Sequence, residues 1–63
     1  MNLKKLKGLM AEHGDRQEDL AKLLNINIST VNFKLQGKSD FKVNELKTLA
    51  DHYKVDVNIF FTN

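Results

Sequence analysis

The chain has 63 residues, a formal net charge of +2, no Cys and no Pro. Residues 1–63 therefore read as a single domain near the lower size limit for folding alone, without disulfides or thiolate metal sites, which fits a cytoplasmic, reducing setting. Apolar runs are only a few residues long, too short for a transmembrane helix or a signal-peptide core, and the weak positive charge is compatible with nucleic acid without arguing for it.

Apolar residues recur at helical spacing along the whole chain, which predicts an all-α fold. Leu3, Leu6, Leu9 and Met10 form the stripe of a first helix over 2–13, with Asn2 as its cap and Gly14 just beyond its end. Asp15 followed by Glu18 has capping-box spacing and predicts the start of a second helix, whose apolar face is Leu20, Ala21, Leu23 and Leu24 and which ends near Asn25. The stretch NINISTVNFKLQGK predicts a third helix, capped by Asn27 and stopped at Gly37. A fourth, over 43–54, is expected to bury Val43, Leu46, Leu49, Ala50 and Tyr53. The tail VDVNIFFTN admits two readings. Val55, Val57, Ile59 and Phe61 alternate as in a strand, while Asp56 followed by Val57, Phe60 and Phe61 suits a short capped helix, and the helix is preferred.

The second and third helices are joined by only three residues, Asn25-Ile26-Asn27. Ala21 is small enough to allow a close crossing, and Ile26 and Val31 are placed to fill it, which is the layout of a helix-turn-helix. The run Gln17-Glu18-Asp19-Leu20-Ala21, Leu24-Asn25-Ile26-Asn27, Ser29-Thr30-Val31-Asn32 and Gly37-Lys38 resembles the Cro/C1-type (Xre) helix-turn-helix family. Phe41, Glu45-Leu46, Ala50 and Ile59-Phe60-Phe61 resemble its short phage and prophage members. The likeness extends from about Leu3 to Phe61. It implies a compact, five-helix, lambda-repressor-like domain that binds a palindromic double-stranded DNA operator, usually as a homodimer. Two positions depart from the family pattern. Asn25 stands where Gly is frequent, and Lys34-Leu35 reverses the usual apolar-then-polar order, which implies a slightly rotated recognition helix.

A helical wheel sorts the third helix by face. With Ile28 set at zero and about 100° per residue, Val31 and Leu35 centre the core near 320°. Asn32, Gln36, Ser29 and Phe33 spread from about 40° to 140°, with Ile28 on the boundary and Thr30 and Lys34 on the other flank. Ile28, Ser29, Asn32, Phe33 and Gln36 are thus the expected base contacts. Asn and Gln pair with adenine, Ser is permissive, and apolar groups meet the thymine methyl. Without the motif, the same arc would read as a solvated face with one exposed aromatic.

Gln17 is the expected phosphate contact at the start of the second helix, a role the resemblance also implies, and Lys34, Lys38 and Lys42 are expected to neutralise phosphates around the following loop. Asp15, Glu18 and Asp19 make an acidic surround there. His13 and His52 lack metal-ligand spacing, and no nucleophile–base set, glycine-rich phosphate loop or suggestive carboxylate pair occurs. The expectation is a non-enzymatic transcriptional regulator with no cofactor, no metal, no small-molecule substrate and no membrane partner. The competing reading is a protein-interaction domain of the same fold, an antitoxin or anti-repressor, with Phe33 and Ile28 as partner anchors.

Overall fold

The computed structural model describes residues 1–62. It contains helices α1 (Leu3–His13), α2 (Gln17–Leu24), α3 (Ile28–Leu35) and α4 (Val43–Tyr53), followed by a 3-10 turn (Val57–Phe61). No strand occurs among the described residues. The tail is therefore helical, as preferred, but the expected fifth helix is a single 3-10 turn capped by Asp56, whose carboxylate accepts from the Asn58 N–H at 2.9 Å.

Asn2 caps α1 through its side chain, which accepts from Lys5 N–H at 3.2 Å. The same residue reaches the other end of the chain. Its backbone N–H donates to Phe60 C=O at 2.6 Å and its amide to Thr62 C=O at 2.7 Å. Phe60 is held fully buried among Leu6, Leu20, Val31 and Leu49, the other completely enclosed side chains of the core. Phe61 points outward.

The start of α2 differs from the expected one. Arg16, not Asp15, is the cap residue, and its N–H is taken by the Asp19 carboxylate at 2.7 Å, so the acid that closes the box is one residue later than Glu18. Asp15 is drawn elsewhere, because its carboxylate lies 3.0 Å from His52 Nε2 on α4. Its contact with His52, reinforced by Tyr53, holds the Asp15 pKa below its ordinary value despite some desolvation. His13 and His52 flank the Tyr53 ring at 5.0 and 4.7 Å. Burial, and then Asp15 beside it, push the Tyr53 phenol well above its ordinary range.

Asn25 closes α2 in the left-handed conformation, φ 55°, and Ile26 N–H returns to Ala21 C=O at 3.0 Å. Asn tolerates this region better than most residues, so Gly is dispensable here. α3 ends in a Schellman arrangement, in which Gly37 at φ +80° donates to Lys34 C=O and Lys38 N–H to Phe33 C=O.

Two burial expectations are overturned. Val43 is 64% exposed, because Phe41 folds in ahead of α4 and occupies the core beside Leu46, leaving the first helical residue outside. Lys34, expected on the surface, is only 5% exposed, and its Nζ lies 2.5 Å from Glu45 Oε1. That carboxylate also accepts from Lys42 N–H at 2.8 Å, capping α4. Burial raises the Glu45 pKa, but the Lys34 hydrogen bond, the Lys42 N–H and the charges of both lysines outweigh it and hold the carboxyl below its ordinary value.

Truncating one member of this pair strands a buried charge. Glu45→Ala should cost about 3–5 kcal/mol, comparable to the ~3–5 kcal/mol that a core of this size supplies, so the variant should show little helical circular dichroism at room temperature. The double change Lys34→Met with Glu45→Met should recover most of the lost helicity. A well-folded Glu45→Ala protein would contradict the assigned role of the pair.

Acid should also unfold the domain. A carboxylate whose pKa is depressed by folding contributes stability above its unfolded value and loses it as pH falls through the folded one. Stability should therefore drop below the ordinary carboxylate values of 4.5 for Glu45 and 3.8 for Asp15. Urea midpoints of the wild type and Asp15→Asn, followed from neutral pH into acid, should converge at the acid end and separate above it.

Candidate nucleic-acid interface

α2 and α3 pack against each other across the Asn25–Asn27 turn, with Val31 fully buried at the crossing, as a helix-turn-helix requires. The rotation of α3 follows from its buried residues, Val31, Lys34 and Leu35. On the wheel they centre near 290°, about 30° from the position inferred from Val31 and Leu35 alone. The direction opposite them is occupied by Ser29, Phe33 and Gln36, all exposed.

Phe33 is 51% exposed and Ile28 49%. Lys38 folds back over the Phe33 ring, its Nζ 5.7 Å from the ring centroid, which places a cation beside the outward aromatic. Ser29 sits at the helix start, where its N–H and its hydroxyl both reach Asn27 Oδ1 at 3.0 Å. The Ser29 hydroxyl therefore spends its proton on the cap and presents lone pairs outward, as an acceptor.

The polar side chains of the two helices are joined. Gln36 Nε2 donates to Asn32 Oδ1 at 2.5 Å, and Asn32 Nδ2 donates to Gln17 Oε1 at 3.1 Å. Asn32 is accordingly half-buried between its partners, whereas Gln36 is exposed. These three side chains line an open groove of about 400 Å³ together with the apolar Met10 and Leu35, Lys7 of α1 and Asp15.

Gln17 stands at the first position of α2, where unpaired backbone N–H groups and the helix dipole favour an anion. Two of the three acids there are engaged by protein groups, Asp19 by the Arg16 N–H and Asp15 by His52. Lys38 and Lys42 are exposed around the loop after α3, while Lys34 is enclosed by Glu45 and the Phe41 ring, 5.7 Å away, and cannot reach a phosphate outside.

Two residues that shape this region escaped the sequence reading, one buried and one on the surface. Glu45 gives a signal in the sequence, as the acid three residues after Lys42, but the cap and the buried lysine it serves lie on different elements. Lys7 flanks the Leu3–Leu6–Met10 stripe of α1, and only the tertiary fold brings it to the same groove as Gln17, Asn32 and Gln36.

Among the described residues there is no cluster of three potential metal-ligating side chains and no helix long and apolar enough to cross a membrane. No curated protein and no solved structure matches the chain. A family model does: the BetR domain matches residues 2–63, which includes every element described above. With its helix-turn-helix and the outward arc of α3 in place, the chain belongs to the BetR domain family, a family of helix-turn-helix DNA-binding domains.

Proposed function

We propose that this domain is a sequence-specific transcriptional repressor of the phage or prophage Cro/C1 kind, which occupies a palindromic operator as a homodimer and does no covalent chemistry. The observation that carries this reading is the outward arc of α3, on which Ser29, Phe33 and Gln36 stand opposite the buried Val31, Lys34 and Leu35. Laid in a major groove, Ser29 offers acceptor lone pairs to a base amino group, Gln36 an amide to adenine, and Phe33 and Ile28 apolar surface to thymine methyl groups. Gln17, Lys38 and Lys42 face phosphates and set the register, with Lys7 as a further cation on the α1 rim.

One such helix contacts too few bases to specify a genomic site, so two copies are needed, with their recognition helices about 34 Å apart along the duplex. Within the tail, Phe60 closes the core, and Phe61, 58% exposed, is the side chain left for contact with a second copy. Exposed Met1 and Val43 add further apolar surface to the domain.

Binding should show counterion release. Six lysines per dimer, Lys7, Lys38 and Lys42 from each copy, give a slope of log K against log salt near −5. Lys38→Ala should weaken selected and random duplexes alike and flatten the slope by about 2, one unit for each copy. Selection from a random duplex pool, followed by titration over a range of salt, tests this directly. A specific-to-random affinity ratio near one throughout would overturn the repressor reading, and a salt-insensitive protein complex would favour the protein-interaction alternative.

Phe33→Ala should reduce affinity for the selected duplex by about 1–3 kcal/mol, the value of burying the ring against DNA. Its thermal midpoint should hardly move, because the ring lies outside the core. The loss should fall on one or two base pairs per half-site, with random-duplex binding almost unchanged.

A further inference from the structure

Asn32 belongs by sequence with the base-reading residues, yet it differs from them in the structure. Ser29, Phe33 and Gln36 are exposed, whereas Asn32 is half-buried with both ends of its amide engaged by protein. Its carbonyl accepts from Gln36 on the same helix, one turn further on, and its NH₂ donates across the helix crossing to Gln17. The chain of donors runs in one direction, Gln36 to Asn32 to Gln17.

That direction determines what the two outer amides have left. Gln17 has spent its carbonyl, so its NH₂ is turned away from Asn32 with both protons free, the form suited to a phosphate oxygen. Gln36 has spent one proton and keeps its carbonyl and a second N–H, the acceptor–donor pair that complements adenine N6–H and N7. Reversing the Asn32 amide would place its NH₂ toward the Gln36 NH₂ and its carbonyl toward the Gln17 carbonyl, so all three amides must turn together.

We propose that Asn32 is a positioning residue, not a base contact: it locks the phosphate-facing amide of Gln17 to the base-facing amide of Gln36, so that anchoring on the backbone and reading of adenine are coupled. This rests on the DNA-binding reading above and adds to it which α3 polar group reads no base and how a side chain of α2 affects the reading of adenine by Gln36. Pre-orienting a flexible Gln side chain reduces the entropy lost when it binds, and a contact formed through a shared partner is lost as a unit when either end is removed.

The test uses the full chain and the duplex that the wild type itself selects from a random pool, with a random-sequence duplex as the control. Affinities of Gln17→Ala, Gln36→Ala and the double variant form a cycle in which Asn32 is untouched. The double loss should fall short of the product of the single losses by about threefold or more. In an Asn32→Leu background, which keeps the shape and removes both hydrogen bonds, the same two losses should multiply. Asn32→Leu alone should lower discrimination between adenine and guanine at the Gln36 position by about tenfold, with little change in thermal midpoint and a full complement of phosphate-dependent salt response from the lysines. Multiplicative losses in the Asn32 protein overturn the proposal, whether or not Asn32→Leu folds. So does an Asn32→Leu loss confined to a different base pair from the one Gln36 reads, since that marks a direct base contact. A wild type that selects no sequence overturns the DNA-reading function itself, and the positioning role with it.

Discussion

The buried pair between Lys34 and Glu45 is the constraint on which the rest of the domain depends. Glu45 Oε1 holds the Lys34 ammonium and the Lys42 N–H at once. It therefore fixes the rotation of α3 and the starting point of α4 with one carboxylate. A buried lysine is costly unless its charge is compensated, and truncation of either partner leaves the other uncompensated. In α3 this gives the helix a single acceptable rotation. Turning Lys34 outward would relieve the ammonium, but it would carry Val31 and Leu35 off the core and leave Glu45 buried alone. The face presented to solvent, with Ser29, Phe33 and Gln36 on it, is the consequence.

The angle between α2 and α3 has a different origin. Asn25 takes a left-handed conformation, Ile26 packs against the core, and Asn27 returns to extended backbone and caps the next helix. Three consecutive residues thus end one helix, fill the crossing and start another. The amide chain from Gln36 through Asn32 to Gln17 spans the same crossing on the outside. The two helices are joined by apolar packing beneath and by hydrogen bonds above, so the outward surface is a property of the pair and not of α3 alone. A small domain gains from this economy, because its limited core leaves few contacts to spare for holding a surface helix in place.

The two ends of the chain are tied together with the same economy. Asn2 caps α1 and binds the carbonyls of Phe60 and Thr62, which holds the Phe60 side chain in the core. The sequence contains two adjacent aromatics in this turn, and the 3-10 geometry divides them, one inward to close the core and one outward. Nothing in their chemistry distinguishes Phe60 from Phe61. Their difference arises from the backbone hydrogen bond that pins residue 60.

The sequence by itself determined the all-α class, the positions of α1, α3 and α4 to within a residue or so, the Asn25 turn and the outward direction of Phe33. These depend on short-range chemistry: the spacing of Leu and Val, Asn and Asp side chains that cap their own neighbours, and residues able to take positive φ. The cap of α2, the burial of Lys34, the exposure of Val43 and the engagement of Asn32 were decided only by tertiary structure. Three of these depend on a partner in another element, His52 for Asp15, Glu45 for Lys34 and Gln17 for Asn32, and the fourth on the near neighbours Phe41 and Leu46, which take the place in the core that Val43 was expected to fill. A polar side chain carries no mark of whether its partner will be water or another residue. That choice is made when the helices pack, because burial makes a water-exposed amide or ammonium costly and a protein hydrogen bond its replacement.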